Sequence, residues 1–235
     1  MTIGRTTLSD HVVREIVEEI KQRQLRADDE IPAEGELAER HGVNRLVVRE
    51  AIRTLVARGV LVSSQGKRAR VATPSPAVLE QILAFRLSQN SMDLPDLLDT
   101  RRVIEGELAR RAAARVAAGH GSVEEAERAL QVMRDSAGDR DAFITGDLAF
   151  HEAVAQLADS GVFSFLLAAM NGALFDARRA SYRGREERGA RQEATIEAHQ
   201  RILDAVAAGD AEGATRAMAD HLAETSNDLG LLPSE

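Results

Sequence analysis

With 235 residues, 44% hydrophobic but only 3% aromatic, the chain can form one large or two ordinary domains with cores of Leu, Val, Ile and Ala. It has no cysteine, which excludes a disulfide framework and a thiolate metal site and fits a reducing compartment. The formal net charge of -8 means that any attraction to a polyanion must come from a local reversal of sign.

Met1 to Asp10 is polar and does not read as a secretory signal. The longest apolar run, Val162 to Phe175, is interrupted by Ser164, Asn171 and Gly172 and is too short for a bilayer. A soluble, cytoplasmic protein without a membrane partner is expected. Ser9 can cap a first helix in which Val12, Val13, Ile16, Val17 and Ile20 form one stripe. Glu15, Glu18 and Glu19 lie off that stripe, toward solvent.

Residues 31 to 71 then pattern as two short helices and a folded-back ribbon. The first runs from Glu34 to Arg40 with Leu37 and Ala38 inward, and Gly42 suits a C′ position that needs positive φ. Asn44 reads as the N-cap of the second, whose apolar positions are Val47, Val48, Ala51, Ile52, Leu55 and Val56. Arg45, Arg49 and Arg53, four apart, share the opposite side. Val60–Val62 and Arg68–Val71 flank Gln65-Gly66-Lys67, as strand, tight turn and strand. This order is a winged helix-turn-helix, with its second helix shaped for a major groove. From Arg40 to Arg70 there are eight basic residues and one acidic one, Glu50, which is the electrostatic footprint of a DNA reader.

The stretch resembles the DNA-binding domain of the GntR family of bacterial transcription regulators. The matching residues are Pro32, Glu34, Glu36-Leu37-Ala38, Gly42-Val43, Arg45, Val48-Arg49-Glu50-Ala51, Leu55, Gly59 and Gly66. The chain departs from the family at Gly35, where Arg is common, and at Asn44 and Leu46, where Ser or Thr is common. Arg45 and Arg49 are expected to read bases, with Leu46 on the DNA-facing side. Arg40, Arg58, Lys67 and Arg68 are expected to hold phosphates, with Gln65 and Gly66 at the wing tip.

Thr73-Pro74-Ser75-Pro76 breaks both strand and helix, so domains are expected at 1–73 and 78–235 with a linker at 74–77. Residues 1–75 hold 13 basic and 11 acidic side chains; the remaining 17 and 27 make the second part strongly acidic. Beyond Pro76 the pattern is helical throughout. Seven segments, at about 76–89, 93–118, 122–136, 139–158, 160–181, 187–208 and 210–229, predict an all-α antiparallel bundle joined by short loops, with Asp210 capping the last. The fold class is therefore mainly α.

Within that bundle Asp147 and His151 are four apart and share one helical face. His199 and His221 lie in two further amphipathic segments. One carboxylate and three imidazoles can close around a divalent transition metal, as bundle interiors do. On spacing alone the signal is weak: an Asp and a His four apart on a helix arise often by chance, and a partly buried histidine is usually just hydrogen-bonded.

The second part also resembles the FadR-type C-terminal effector domain of one GntR branch. The match lies in Arg101-x-x-x-Glu105, Glu107-Leu108-Ala109, Ala112-Ala113, Asp147-x-x-Phe150-His151, His199-x-x-Ile202-Leu203-Asp204-Ala205, Gly209-Asp210-x-x-x-Ala214, Met218 and His221-Leu222. In metal-containing members, one Asp and three His at the positions of Asp147, His151, His199 and His221 bind the ion. The resemblance thus implies a metal cofactor, zinc first, with nickel, manganese or iron open. Arg101 and Arg102, and Arg178 or Arg179, are placed to meet a small organic acid; Arg101 could equally pair with Glu105 on a surface. The expected protein is a homodimeric repressor that binds a double-stranded operator and is not an enzyme. A metal-dependent hydrolase or lyase fused to a DNA-binding domain is the alternative. It lacks an evident general base, because Glu152, adjacent to His151, should face away.

Overall fold

A computed structural model describes residues 7–64, 67–136, 139–175, 179, 182 and 192–228. The chain divides into two compact units, Met1–Val78 and Leu79–Glu235.

The first unit contains α1 (Leu8–Gln22), α2 (Glu34–His41), α3 (Arg45–Ala57), β1 (Leu61–Val62) and β2 (Arg70–Val71). Thr7, rather than Ser9, caps α1. Its hydroxyl accepts from Asp10 N at 3.1 Å while the Asp10 carboxylate accepts from Thr7 N at 3.0 Å. That reciprocal box satisfies two orphan donors where Ser9 would satisfy one, and Ser9 is buried inside the helix. Val12, Val13 and Ile16 close a core with Leu37, Ala38, Val48, Ala51, Ile52, Leu55 and Leu61, while Val17 and Ile20 pack at its margin. Val56 does not join it; one residue past Leu55 the helix has turned by about 100° and its side chain meets solvent. Gly42 ends α2 at φ +63°, and Asn44 Oδ1 accepts from Val47 N at 3.0 Å to start α3. The ribbon is shorter than its sequence pattern. It is antiparallel, with Leu61 opposite Val71 and Val62 opposite Arg70. Gln65 and Gly66, the expected wing tip, lie outside the described residues. The unit is a winged helix-turn-helix.

The helices beyond Pro76, among the described residues, are α4 (Ala77–Ser88), α5 (Leu94–Ala117), α6 (Glu124–Asp135), α7 (Arg140–Leu157), α8 (Gly161–Ala173), α9 (Gln192–Ala207) and α10 (Ala211–Asp228). α4 begins at Ala77, so the last residue of the expected linker is helical. The segment expected to run to 181 is described as helix to Ala173, and residues 187–191 of the next lie outside the described set. α5 is the central helix, packed against α7, α8, α9 and α10. Ala109, Ala112 and Ala113 on α5 are fully buried, and such small side chains let neighbouring helices approach closely. Asp139 caps α7 through Ala142 N at 3.0 Å, and Asp210 Oδ1 accepts from Gly213 N at 2.9 Å at the start of α10. The core around α5 combines Leu, Ala and Met with Phe143 and Phe150. Function must therefore be sought where polar groups interrupt this hydrocarbon.

Candidate functional site

Among the described residues, buried charged and imidazole groups gather in one cluster. α7 carries Asp147 and His151 one turn apart, α9 brings His199, and α10 brings His221; all four are buried. Their candidate ligand atoms lie within 4.8 Å of one another. His199 Nε2 is 3.1 Å from Asp147 Oδ1, His151 Nε2 is 3.8 Å from the same oxygen, and His221 Nε2 is 3.3 Å from His151 Nε2. The Phe150 ring stands edge-on to His199 at 4.7 Å between centroids and walls the cluster with hydrocarbon.

The outer partners fix the tautomers. His199 Nδ1 donates to the Thr195 carbonyl at 2.8 Å, and a carbonyl can only accept, so Nε2 presents its lone pair inward. The Glu105 carboxylate lies against His151 Nδ1 and orients that ring in the same sense. His221 Nδ1 is buried without a hydrogen bond. Imidazole lone pairs and a carboxylate oxygen facing one point repel one another unless a cation or proton stands between them. Burial holds His221 well below its ordinary pKa, and the neighbouring His199 and His151 push it further down. Burial also lowers His151, against the opposing charge of Glu105. Neutral imidazole is the form that ligates metal. Two donors about 2.1 Å from one ion are at most about 4.2 Å apart. The three separations above fall within that limit and no pair is more than 4.8 Å apart, so the donor set fits a divalent transition metal with only slight contraction.

Arg101 is neither simply at a cavity mouth nor on a surface. It pairs with Glu105 four residues on, and both are buried behind His151. Glu105, Thr195 and Phe150 are the participants that residue spacing did not single out. The i,i+4 relation of Arg101 and Glu105 is visible in the sequence, but the burial that joins them to His151 is not. Arg102, one position along, lies on the exposed side of α5 and pairs with Asp99 at 3.1 Å. Arg178 lies outside the described residues, and Arg179 pairs with Asp141 at 3.5 Å. Glu152 faces away from the cluster, as its position predicts, and accepts from Gln156 at 3.2 Å.

On the winged unit, Arg45, Leu46 and Arg49 are exposed along α3, and Lys67 and Arg68 are exposed on the wing. Leu46 retains 69% of its surface, an apolar group suited to a thymine methyl. Arg49 is engaged by Glu34 of α2, with Nη2 2.9 Å from Oε2. Arg40 is held in a surface network by Glu36 and, at 3.1 Å, by Glu19 of α1, so Glu19 has a partner as well as solvent.

These two arrangements, a basic helix-turn-helix face and a buried carboxylate–imidazole cluster, have counterparts in known proteins. Residues 8–71 match the model of the bacterial regulatory proteins of the gntR family, and residues 96–224 match the FCD domain. A protein of Escherichia coli (strain K12) named as an L-lactate dehydrogenase operon regulatory protein is 33% identical over 223 residues, covering 92% of this chain and 83% of the relative. A transcriptional repressor, NanR of Cronobacter sakazakii, is 29% identical over 223 residues, covering 94% and 84%. The solved structure of a Streptococcus agalactiae GntR protein superposes with a TM-score of 0.63 at 22% identity, covering 92% of this chain and 97% of that one, which supports the fold. The chain belongs to the GntR family of bacterial transcription regulators, in the branch that joins the winged domain to an FCD domain. It is a DNA-binding regulator. No helix among the described residues is long and apolar enough to cross a membrane.

Proposed function

We propose that the protein is a cytoplasmic, homodimeric repressor whose grip on its operator is controlled by a small carboxylate bound at a metal in the FCD domain. The observation that carries this reading is the convergence of Asp147, His151, His199 and His221, four buried donors from three helices, on one point. Those four residues would hold the ion, which when bound supplies a Lewis-acidic point for carboxylate oxygens. Around it, Thr195 and Glu105 hold the rings, Phe150 excludes water, and Arg101 adds a buried positive charge. Zinc is the first choice, and nickel, manganese and iron suit the same donors. One relative is named for an operon whose enzyme acts on a small hydroxycarboxylate, which favours that class of effector.

At the operator, Arg45 and Arg49 read bases while Lys67 and Arg68 hold phosphates, and two protomers meet half-sites roughly 34 Å apart. The effector must bind the two arrangements of the dimer with different affinity, or it shifts nothing. The hydrolase alternative is disfavoured because the carboxylate nearest the cluster from outside, Glu105, is already engaged by Arg101 and His151. The test is operator binding by metal-loaded protein across a panel of small carboxylates, with melting temperature followed in parallel. An acid that raises the melting temperature and releases DNA only when metal is present is the expected result. Release that persists after chelation would contradict the reading.

A further inference from the structure

The N-terminal turn of α2 does more than precede the recognition helix. Glu34, its first residue, receives Arg49 along one edge of the guanidinium, with Nε 3.3 Å from both carboxylate oxygens and Nη2 2.9 Å from Oε2. A guanidinium has five N–H donors in a rigid fork. Engaging the Nε–Nη2 edge of a side chain that stays 51% exposed leaves the Nη1–Nη2 edge available, and that edge matches the O6 and N7 acceptors of guanine. Glu34 is held ionised by the same contact; its carboxyl is lowered first by the Arg49 hydrogen bond, and the charges of Arg45 and Arg53 act in the same direction.

Gly35 serves the neighbouring arginine. A Cβ built there would lie 3.1 Å from Arg45 Nη2 and 3.5 Å from its Cζ and Nε, so the guanidinium packs against the glycine closely enough that a methyl group would displace it by a few tenths of an ångström. What such a Cβ would meet is the far end of a flexible side chain, so the backbone has no reason to move.

We propose that Glu34 and Gly35 are specificity-determining positioning residues, fixing the orientations of Arg49 and Arg45 and so deciding which bases those arginines accept, although neither residue itself touches a base. The proposal rests on the reading that α3 enters the major groove. Long side chains that are already oriented lose less freedom on docking and offer one hydrogen-bonding edge instead of several.

The test selects duplexes from a random-sequence DNA pool with the full-length protein and its Glu34→Gln, Gly35→Ala, Arg49→Ala and Glu34→Gln/Arg49→Ala variants. Dissociation constants are then measured on the selected duplex and on a scrambled one. For Glu34→Gln, binding to scrambled DNA holds or tightens because a negative charge has gone, while discrimination falls about tenfold at one base pair per half-site. In the Arg49→Ala background the same change has no further effect on discrimination. For Gly35→Ala, the melting temperature holds or rises, since Ala is the better helix former, while preference at the Arg45 position relaxes. Tightening of both duplexes by an equal factor in Glu34→Gln, or an undiminished effect in the Arg49→Ala background, would overturn the inference and reduce Glu34 to bulk charge. If Arg49→Ala itself weakens selected and scrambled DNA equally, the groove reading fails and takes the inference with it. If Arg49→Ala loses discrimination and Glu34→Gln does not, only the inference fails.

Discussion

Two arginine–glutamate pairs, one in each unit, show how the units divide the work. Arg49–Glu34 leaves 51% and 37% of its side chains exposed; Arg101–Glu105 leaves 3% and 1%. In the exposed pair, water screens the contact, so it adds little to stability and serves instead to orient the arginine with one edge left for a base. In the buried pair neither partner can leave without stranding the other, so the contact belongs to the architecture. The lesson is that the same two residue types act as a presentable edge in one setting and as a strut in the other. The sign of the local charge follows the same division, with a basic face turned to solvent in the first unit and donors turned inward in the second.

The contrast breaks first at the buried pair. Arg101→Met should destabilise the FCD domain by about 3–5 kcal/mol, because it takes the cationic partner from a carboxylate in the core. Urea denaturation measures it, and a change near zero would show that the pair is not buried in solution. Arg49→Ala should leave stability almost untouched and lower discrimination between selected and scrambled DNA by about 1–3 kcal/mol, read from competition binding. Acid sharpens the same division. Because burial depresses His151 and His221 below the ordinary value of 6.5, the unfolded chain binds more protons than the folded one as pH falls below that value. Stability of the metal-free protein should therefore decline as pH drops from about 6.5 toward the depressed folded values. The decline should be absent from His151→Gln/His221→Gln, as chemical denaturation at pH 7.5, 6.5 and 5.5 would show. The smallest effect is expected at Arg102→Ala, where loss of an exposed pair with Asp99 should leave both the melting temperature and any carboxylate response in place.

Much of this architecture can be read directly from residue patterns. Asn44 and Gly42 bracket the turn of the winged unit by local chemistry, and Asp147 with His151 shares a face by helical period alone. What is local is legible. The approach of His199 and His221 depends on how α9 and α10 pack around α5, and no spacing rule contains that; the family resemblance supplied the four positions, and the structure brings their side chains within 4.8 Å of one another. Thr7 was hidden by the nearer Ser9, since a capping box depends on the acid three residues on as well as on the hydroxyl. Glu105 escaped because its helical period matches a surface pair as well as a buried one, and only the position of α5 at the centre of the bundle decides between them. Gly35 could be seen in the sequence only as a departure from the family pattern. The side chain that takes up its space comes from the next helix.

The central claim is that four buried donors grip one metal ion, and elemental analysis of the purified full-length protein tests it most directly. Wild-type protein, dialysed without chelator, should hold one transition-metal ion per chain, and His199→Ala/His221→Ala should hold essentially none while retaining its helical circular-dichroism spectrum. One ion per chain in the double variant, or none in wild-type protein incubated with excess zinc, nickel, manganese or iron, would contradict the account.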